Sequence, residues 1–230
     1  MSNISVFEIL GPVMIGPSSS HTAGAEKLGK AARSIGGSDF DEVEFHLHGS
    51  FAHTYKGHGT DKALAAGILG MEADDERLKD SIEIAEKKGI KVVFLEADLG
   101  EVHPNTVKIV LKKEGNTTLS LTGSSIGGGN VILTQLDEDK VEISGKLYSC
   151  IIKHRDIRGM ISKITAVLAL NQINIATLKV GRESKGDVAT TVIETDNQVM
   201  PDVVKEISKI ENIISIRTVN MLDRAANAAE

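Results

Sequence analysis

The stretch from 147 to 219 carries six patterned segments in an order that few folds accept. Residues 147–153 are an apolar run of strand length. Residues 158–170 place Met160, Ile164, Val167 and Leu168 on one helical face. Residues 174–181 and 187–195 are β-rich runs joined by Ser184-Lys185-Gly186. Residues 201–210 open on Pro201, which suits the first turn of a helix, and 213–219 close the series as a strand. Strand, helix, strand, strand, helix, strand is the split βαβ order, and it predicts a ferredoxin-like βαββαβ domain with an antiparallel sheet over 147–222.

Ahead of that series the chain changes character. Six of its seven histidines lie at or before His103. A helix is predicted over 22–34, stopped by Gly36-Gly37. A strand is predicted over 42–51, where Val43, Phe45 and Leu47 alternate with Glu44, His46 and His48. Residues 60–69 read as a helix rich in small residues. Residues 76–88 read as a helix with Leu78, Ile82 and Ala85 on one face and Gly89 as its stop. Strands follow at 91–97, 106–113, 117–122 and 130–135, with a short run at 140–144. The chain is therefore an α+β protein: a mixed α+β domain over 1–146, the βαββαβ domain over 147–222, and an Ala-rich tail over 223–230.

Only 3% of the residues are aromatic and there is no Trp, so both cores must be built from Ile, Val, Leu, Ala and Met. Each such side chain contributes about 1.5–3 kcal/mol when buried. The net charge is −6, divided as −7 over 1–146, +2 over 147–222 and −1 over 223–230. Neither part has the basic surplus that draws a phosphate backbone, so no nucleic-acid partner is expected. Cys150 is the sole cysteine, which excludes an internal disulfide and fits a cytoplasmic chain. One thiol also cannot hold an iron–sulfur cluster. No signal peptide, membrane span or metal site is expected.

Four segments could carry chemistry. Gly16-Pro-Ser-Ser-Ser-His-Thr-Ala-Gly24 gathers Ser18, Ser19, Ser20, His21 and Thr22 just before a helix, where free N–H groups favour an anion; a simple N-cap is the plainer reading. His46-x-His48-Gly-Ser50, His53 and Gly57-His58-Gly-Thr-Asp61 form the second. Its spacing matches no metal signature, and Thr60 or Asp61 reads as a helix cap beside His58, a candidate general acid or base. Thr122-Gly-Ser-Ser-Ile-Gly-Gly-Gly-Asn130 is either a nest of N–H groups for an anion, with Ser125, Gly127, Gly128 and Gly129, or a tight turn between strands. Asp156-Ile-Arg-Gly159 joins the first strand of the second domain to its first helix. Cys150 sits in an apolar strand pattern and reads as a small buried hydrophobe.

Together these segments resemble a known family. Gly11-Pro-Val-Met-Ile-Gly-Pro-Ser-Ser-Ser-His-Thr-Ala-Gly24, Gly49-Ser-Phe-Ala52 with Lys56-Gly-His-Gly-Thr-Asp61, and Ser125-Ile-Gly-Gly-Gly-Asn130 are similar to three signatures of the β chain of iron–sulfur L-serine dehydratases. Residues 147–222 resemble an ACT domain, through Asp156-x-x-Gly159 and Asn171-Gln-Ile-Asn-Ile175. The resemblance implies conversion of L-serine to pyruvate and ammonia. It implies a [4Fe–4S] cluster, ligated by a separate α chain, whose iron acts as a Lewis acid on the substrate hydroxyl. The first domain would share the allosteric substrate-binding fold of some phosphoglycerate dehydrogenases. On this likeness His21, His58 and Asp61 are catalytic candidates, with Thr60 and Asp61 orienting His58. Ser18, Ser19, Ser20, Thr22, Thr60, Ser125, Gly127, Gly128 and Gly129 would contact substrate or an anion. Asp156, Arg158, Gly159 and Asn174 would bind an amino-acid effector, serine first among them. The chain would pair as a homodimer through the ACT domain or as a heterotetramer with α chains, and would be inactive alone. A free-standing ACT regulator without a catalytic role is the alternative, and a metal-dependent hydrolase using the histidines a more distant one.

Overall fold

The computed structural model describes residues 14–182 and 184–222; Gly11, Pro12 and Val13 of the first signature and the tail over 223–230 lie outside them. The chain divides after Glu138 into two compact units.

In the first unit, helices α1 (Ala23–Gly36), α2 (Gly49–His58), α3 (Thr60–Leu69) and α4 (Ser81–Lys87) accompany strands β1 (Glu42–Leu47), β2 (Lys91–Glu96), β3 (Thr106–Lys113), β4 (Asn116–Gly127) and β5 (Asn130–Leu136). The strand order is β2-β1-β3-β4-β5. β1 and β2 are parallel; the other pairs are antiparallel. The alternation read from β1 sets its two faces: Val43, Phe45 and Leu47 are buried, and Glu42, Glu44 and His46 are half-exposed. Register carries the apolar face across the sheet, from Phe45 to Ile109 to Leu121. Leu28 of α1 seats on it at Gly123, where an added methyl would lie 2.6 Å from the leucine.

α1 and α3 pack backbone to backbone. A methyl on Gly67 would fall 2.1 Å from the Glu26 carbonyl oxygen, and one on Gly29 2.4 Å from that of Leu64. Ala25 and Ala32 of α1 and Ala63 and Ala66 of α3 are buried as well. Small residues here let two helices approach more closely than the usual 8–10 Å spacing of larger side chains.

Three sequence expectations are corrected. The strand over 42–51 ends at Leu47, and Gly49 begins a helix that runs to His58. The helix over 76–88 is a 3₁₀ turn, Glu76–Asp80, capped by the Asp75 carboxylate on the Arg77 N–H, followed by α4. Strand β4 runs on from Thr122 to Gly127.

The second unit holds β6 (Asp139–Ile143), β7 (Tyr148–Arg155), α5 (Met160–Leu170), β8 (Ile175–Arg182), β9 (Val188–Thr195), α6 (Pro201–Ser208) and β10 (Ile213–Val219). From β7 onward this is the βαββαβ order, and the four strands form an antiparallel sheet ordered β10-β7-β9-β8. The core gathers Cys150, Ile152 and Ile193 from the sheet with Ile164, Leu168, Val203 and Ile207 from the helices. Glu194 is buried but bonded: Ser144 donates to it from its N–H and its hydroxyl, and Thr177 from its hydroxyl at 2.9 Å. Among the described residues no helix is long and apolar enough to cross a membrane.

Candidate active site

Two imidazoles meet in the first unit. His21 stands two residues before α1 and His58 two residues before α3, separated from it by Gly59 in the left-handed region. Because α1 and α3 lie side by side, residues distant in sequence converge. The rings sit edge to face with centroids 4.8 Å apart. Phe51 backs His21 at 5.3 Å and is fully buried.

Helix α2 supplies the rest of the pocket. Ser50, Thr54 and His58 recur every four residues, so they form one stripe along the helix. That stripe faces His21: its Nε2 lies 3.3 Å from the Ser50 hydroxyl and 3.1 Å from that of Thr54. On the other side Nδ1 lies 3.3 Å from the Ser18 hydroxyl. The start of α2 is held by the Ser50 N–H donating to the Pro104 carbonyl at 2.8 Å. Gly49 is needed there, since a methyl would come within 2.7 Å of that same oxygen and its φ is +56°.

Burial, and then the neighbouring His58, hold the His21 imidazole below its ordinary pKa. It is 8% exposed and therefore stays neutral near pH 7. The Nδ1 of His58 is buried without a hydrogen-bond partner. So are the hydroxyls of Thr22, Thr60 and Ser125 and the side-chain oxygen of Asn105. Such atoms are scarce in folded chains, because each forfeits its bonds to water, and a group of them in one unit asks for an explanation.

The predicted roles fare differently. Thr22 occupies the cap position of α1 but makes no side-chain bond to it. Ser18 accepts from the His21 N–H at 3.4 Å; the main chains of Ser18 and Ser19 accept from Thr22 and Gly24. Ser20 is half-buried in the same turn. Thr60 and Asp61 do not orient His58: they belong to the first turn of α3, and the Asp61 carboxylate accepts from the Lys62 N–H. Burial pushes Asp61 above the usual carboxylate pKa. Ser125 comes to the start of α1, where a methyl on Gly24 would lie 2.1 Å from its hydroxyl. Gly127, Gly128 and Gly129, all with positive φ, make the hairpin turn between β4 and β5, closed by the Asn130 amide donating to the Gly127 carbonyl.

The other histidines disperse. His46 pairs with Glu44, and His48 receives the Leu99 N–H. Gly49, Ala52 and His53 line an open cleft of about 470 Å³ with residues 96–98, off the stripe that faces His21. Among the described residues no three His, Cys, Asp or Glu side chains are grouped to hold a metal ion. Ser50 and Thr54 lie within the second segment but carry no role in the sequence reading; their four-residue spacing to His58 is the available signal, hidden by reading 49–51 as strand.

In the second unit, Asp156, Arg158 and Gly159 share one end of the sheet. Asp156 accepts from the Arg182 guanidinium and the Gly186 N–H, bonds that hold its carboxyl below the usual range. Arg158 is exposed, and Gly159, with φ +83°, starts α5. Asn174 lies elsewhere. It precedes the other end of β8, near Thr195, some ~20 Å away at about 3.3 Å per strand residue, and donates to Asp196.

A family model described as Serine dehydratase beta chain matches residues 5–136, and one described as ACT domain matches 148–212. The probable L-serine dehydratase, beta chain of Bacillus subtilis (strain 168) is 45% identical over 92% of this chain and 96% of its own. The L-serine dehydratase, beta chain of Peptoniphilus asaccharolyticus is 39% identical over 96% of this chain and 100% of its own. The D-3-phosphoglycerate dehydrogenase of Synechocystis sp. (strain ATCC 27184 / PCC 6803 / Kazusa) is 28% identical over 86% of this chain and 36% of its own. With a family model spanning more than half its length and relatives matched almost end to end, the chain belongs to the serine dehydratase beta chain family.

Proposed function

We propose that this chain is the site-completing β subunit of an L-serine dehydratase, which deaminates L-serine to pyruvate and ammonia in the cytoplasm together with a separate α chain. The observation that carries the reading is the His21–His58 pair, two imidazoles in contact with one ring nitrogen unpartnered, on a unit whose sequence matches the β-chain model. A neutral imidazole beside a second one is suited to moving a proton near neutral pH.

This chain does not fit the [4Fe–4S] cluster that its family implies. Its one cysteine is fully buried in the second unit, and burial pushes the thiol up to about 12, so it supplies no thiolate. We assign the cluster to the α chain. The residues of this chain hold imidazoles and hydroxyls ready: Ser18, Ser50 and Thr54 orient His21, and the buried hydroxyls of Thr22, Thr60 and Ser125 remain unspent within the subunit. In the ACT unit the loop from Asp156 to Gly159 is the effector site we propose, taking an amino acid such as serine, with pairing between copies bringing a second surface to it.

The test is reconstitution. The purified chain should show no serine deamination under anaerobic conditions, and pyruvate formation should appear on co-expression with an α chain. Turnover by the isolated chain overturns the reading, as does an α chain equally active without it.

A further inference from the structure

Three hydroxyls surround the His21 ring; that of Ser50, 3.3 Å from Nε2, can donate or accept and so does not discriminate between tautomers, whereas that of Thr54 does. The Thr54 hydroxyl donates to the Ser50 carbonyl four residues back, at 2.7 Å. A hydroxyl has one proton to give, so toward His21 the Thr54 oxygen can only accept. The 3.1 Å contact between that oxygen and Nε2 therefore needs a hydrogen on Nε2. The other side agrees. The Ser18 oxygen accepts the His21 backbone N–H at 3.4 Å, which leaves its own hydrogen free for Nδ1 at 3.3 Å. With the proton on Nδ1 instead, the Ser18 oxygen could still accept both donors, but the Thr54 oxygen would face a bare lone pair at 3.1 Å, so the Thr54 side decides the tautomer.

We propose that Thr54 is a positioning residue that locks His21 as the Nε2–H tautomer, so that Nδ1, on the Ser18 side, is the atom offering a lone pair to a ligand's hydroxyl or ammonium. The Ser18 hydroxyl occupies that place in this structure, half-buried in the turn that leads into α1. A ligand donor replaces it without disturbing the α2 side. The identity of that ligand rests on the function proposed above; the tautomer does not.

The second unit holds a natural reference. His154 has Nδ1 2.8 Å from the Arg155 carbonyl, which can only accept, and Nε2 2.8 Å from the Thr191 hydroxyl. It is therefore the opposite tautomer, Nδ1–H. The experiment is long-range ¹H–¹⁵N correlation spectroscopy of the full chain labelled in histidine, near pH 7.5, with His21 assigned by the loss of its signals in His21→Gln. The expected result is an Nε2–H pattern for His21 beside an Nδ1–H pattern for His154. Thr54→Val should shift His21 toward Nδ1–H or an exchanging mixture, and Thr54→Ser should keep the wild-type pattern. An Nδ1–H pattern for His21 in the wild type overturns the proposal, as does a Thr54→Val chain that keeps Nε2–H. If Thr54→Val does not fold, the wild-type pattern and Thr54→Ser decide; a Thr54→Ser chain that loses Nε2–H also overturns it. No turnover is needed, so an Nε2–H His21 in a chain that fails to complete a dehydratase counts against the subunit reading alone.

Discussion

Two buried histidines divide the molecule. His154, in the ACT unit, is 2% exposed and has both ring nitrogens bonded at 2.8 Å, to a carbonyl and a hydroxyl of its own sheet. His21, in the first unit, is held by three hydroxyls at 3.1–3.3 Å and leans on a second imidazole whose Nδ1 has no partner. The same side chain is saturated in one place and loosely held in the other. A polar group kept for stability is closed by its own unit, because leaving it open costs about 1–3 kcal/mol. Among the described residues, the first unit gathers five unpartnered polar side chains, at Thr22, His58, Thr60, Asn105 and Ser125, against the single Ser149 hydroxyl of the second, and such a surplus is what a functional surface leaves.

The contrast breaks most readily at His58. In the reconstituted enzyme His58→Ala should lower kcat by about 10²–10⁴-fold, the usual contribution of a general acid or base, while assembly with the α chain is retained. Steady-state kinetics and size-exclusion chromatography check this; full activity removes His58 from the site. Hydroxyl deletions sharpen the contrast. Thr191→Val strips the bond from His154 Nε2 and should cost about 1–3 kcal/mol in urea unfolding, whereas Thr60→Val removes a hydroxyl with no partner and should be neutral or stabilise by up to about 1 kcal/mol. Equal losses at the two positions would end the distinction. The smallest effect is a pH dependence. His21 has a folded pKa below its value of 6.5 in the unfolded chain, so above 6.5 both states are neutral and its contribution is fully present. As pH falls through the lowered folded value, the unfolded chain has already taken a proton that the native one refuses, and stability is lost. The urea midpoint should drop between pH 7.5 and 5.5, and His21→Gln should flatten part of that drop.

Sequence periodicity conveyed most of the architecture. Residues 106–113 and 213–219 are strands over the spans expected, and the βαββαβ series is complete, because aliphatic alternation and amphipathic stripes were strong there. Helix α2 was illegible. Its sequence, Gly-Ser-Phe-Ala-His-Thr-Tyr-Lys-Gly-His, buries only Phe51 and Ala52 and has no apolar stripe, and the alternation of β1 continues falsely into it. What makes it helical is tertiary: Gly49 fitted beneath Pro104 and the Ser50 N–H given to that carbonyl. Losing α2 hid Ser50 and Thr54. His21 and His58 were both visible as polar residues before helices, but their contact depends on how α1 and α3 cross, which a one-dimensional pattern does not record. Gly123 reads as turn chemistry, yet it lies inside β4 because Leu28 fills the space a side chain would need.

The glycine crossing of α1 and α3 makes the helix pair a caliper. Its jaws are the two N-terminal ends that carry His21 and His58, and its pivot is the place where Gly29 and Gly67 lie against the facing helix's backbone. The gap between the jaws is therefore set about two turns away from the chemistry. A side chain added at the pivot, touching neither imidazole, would reopen the setting of both.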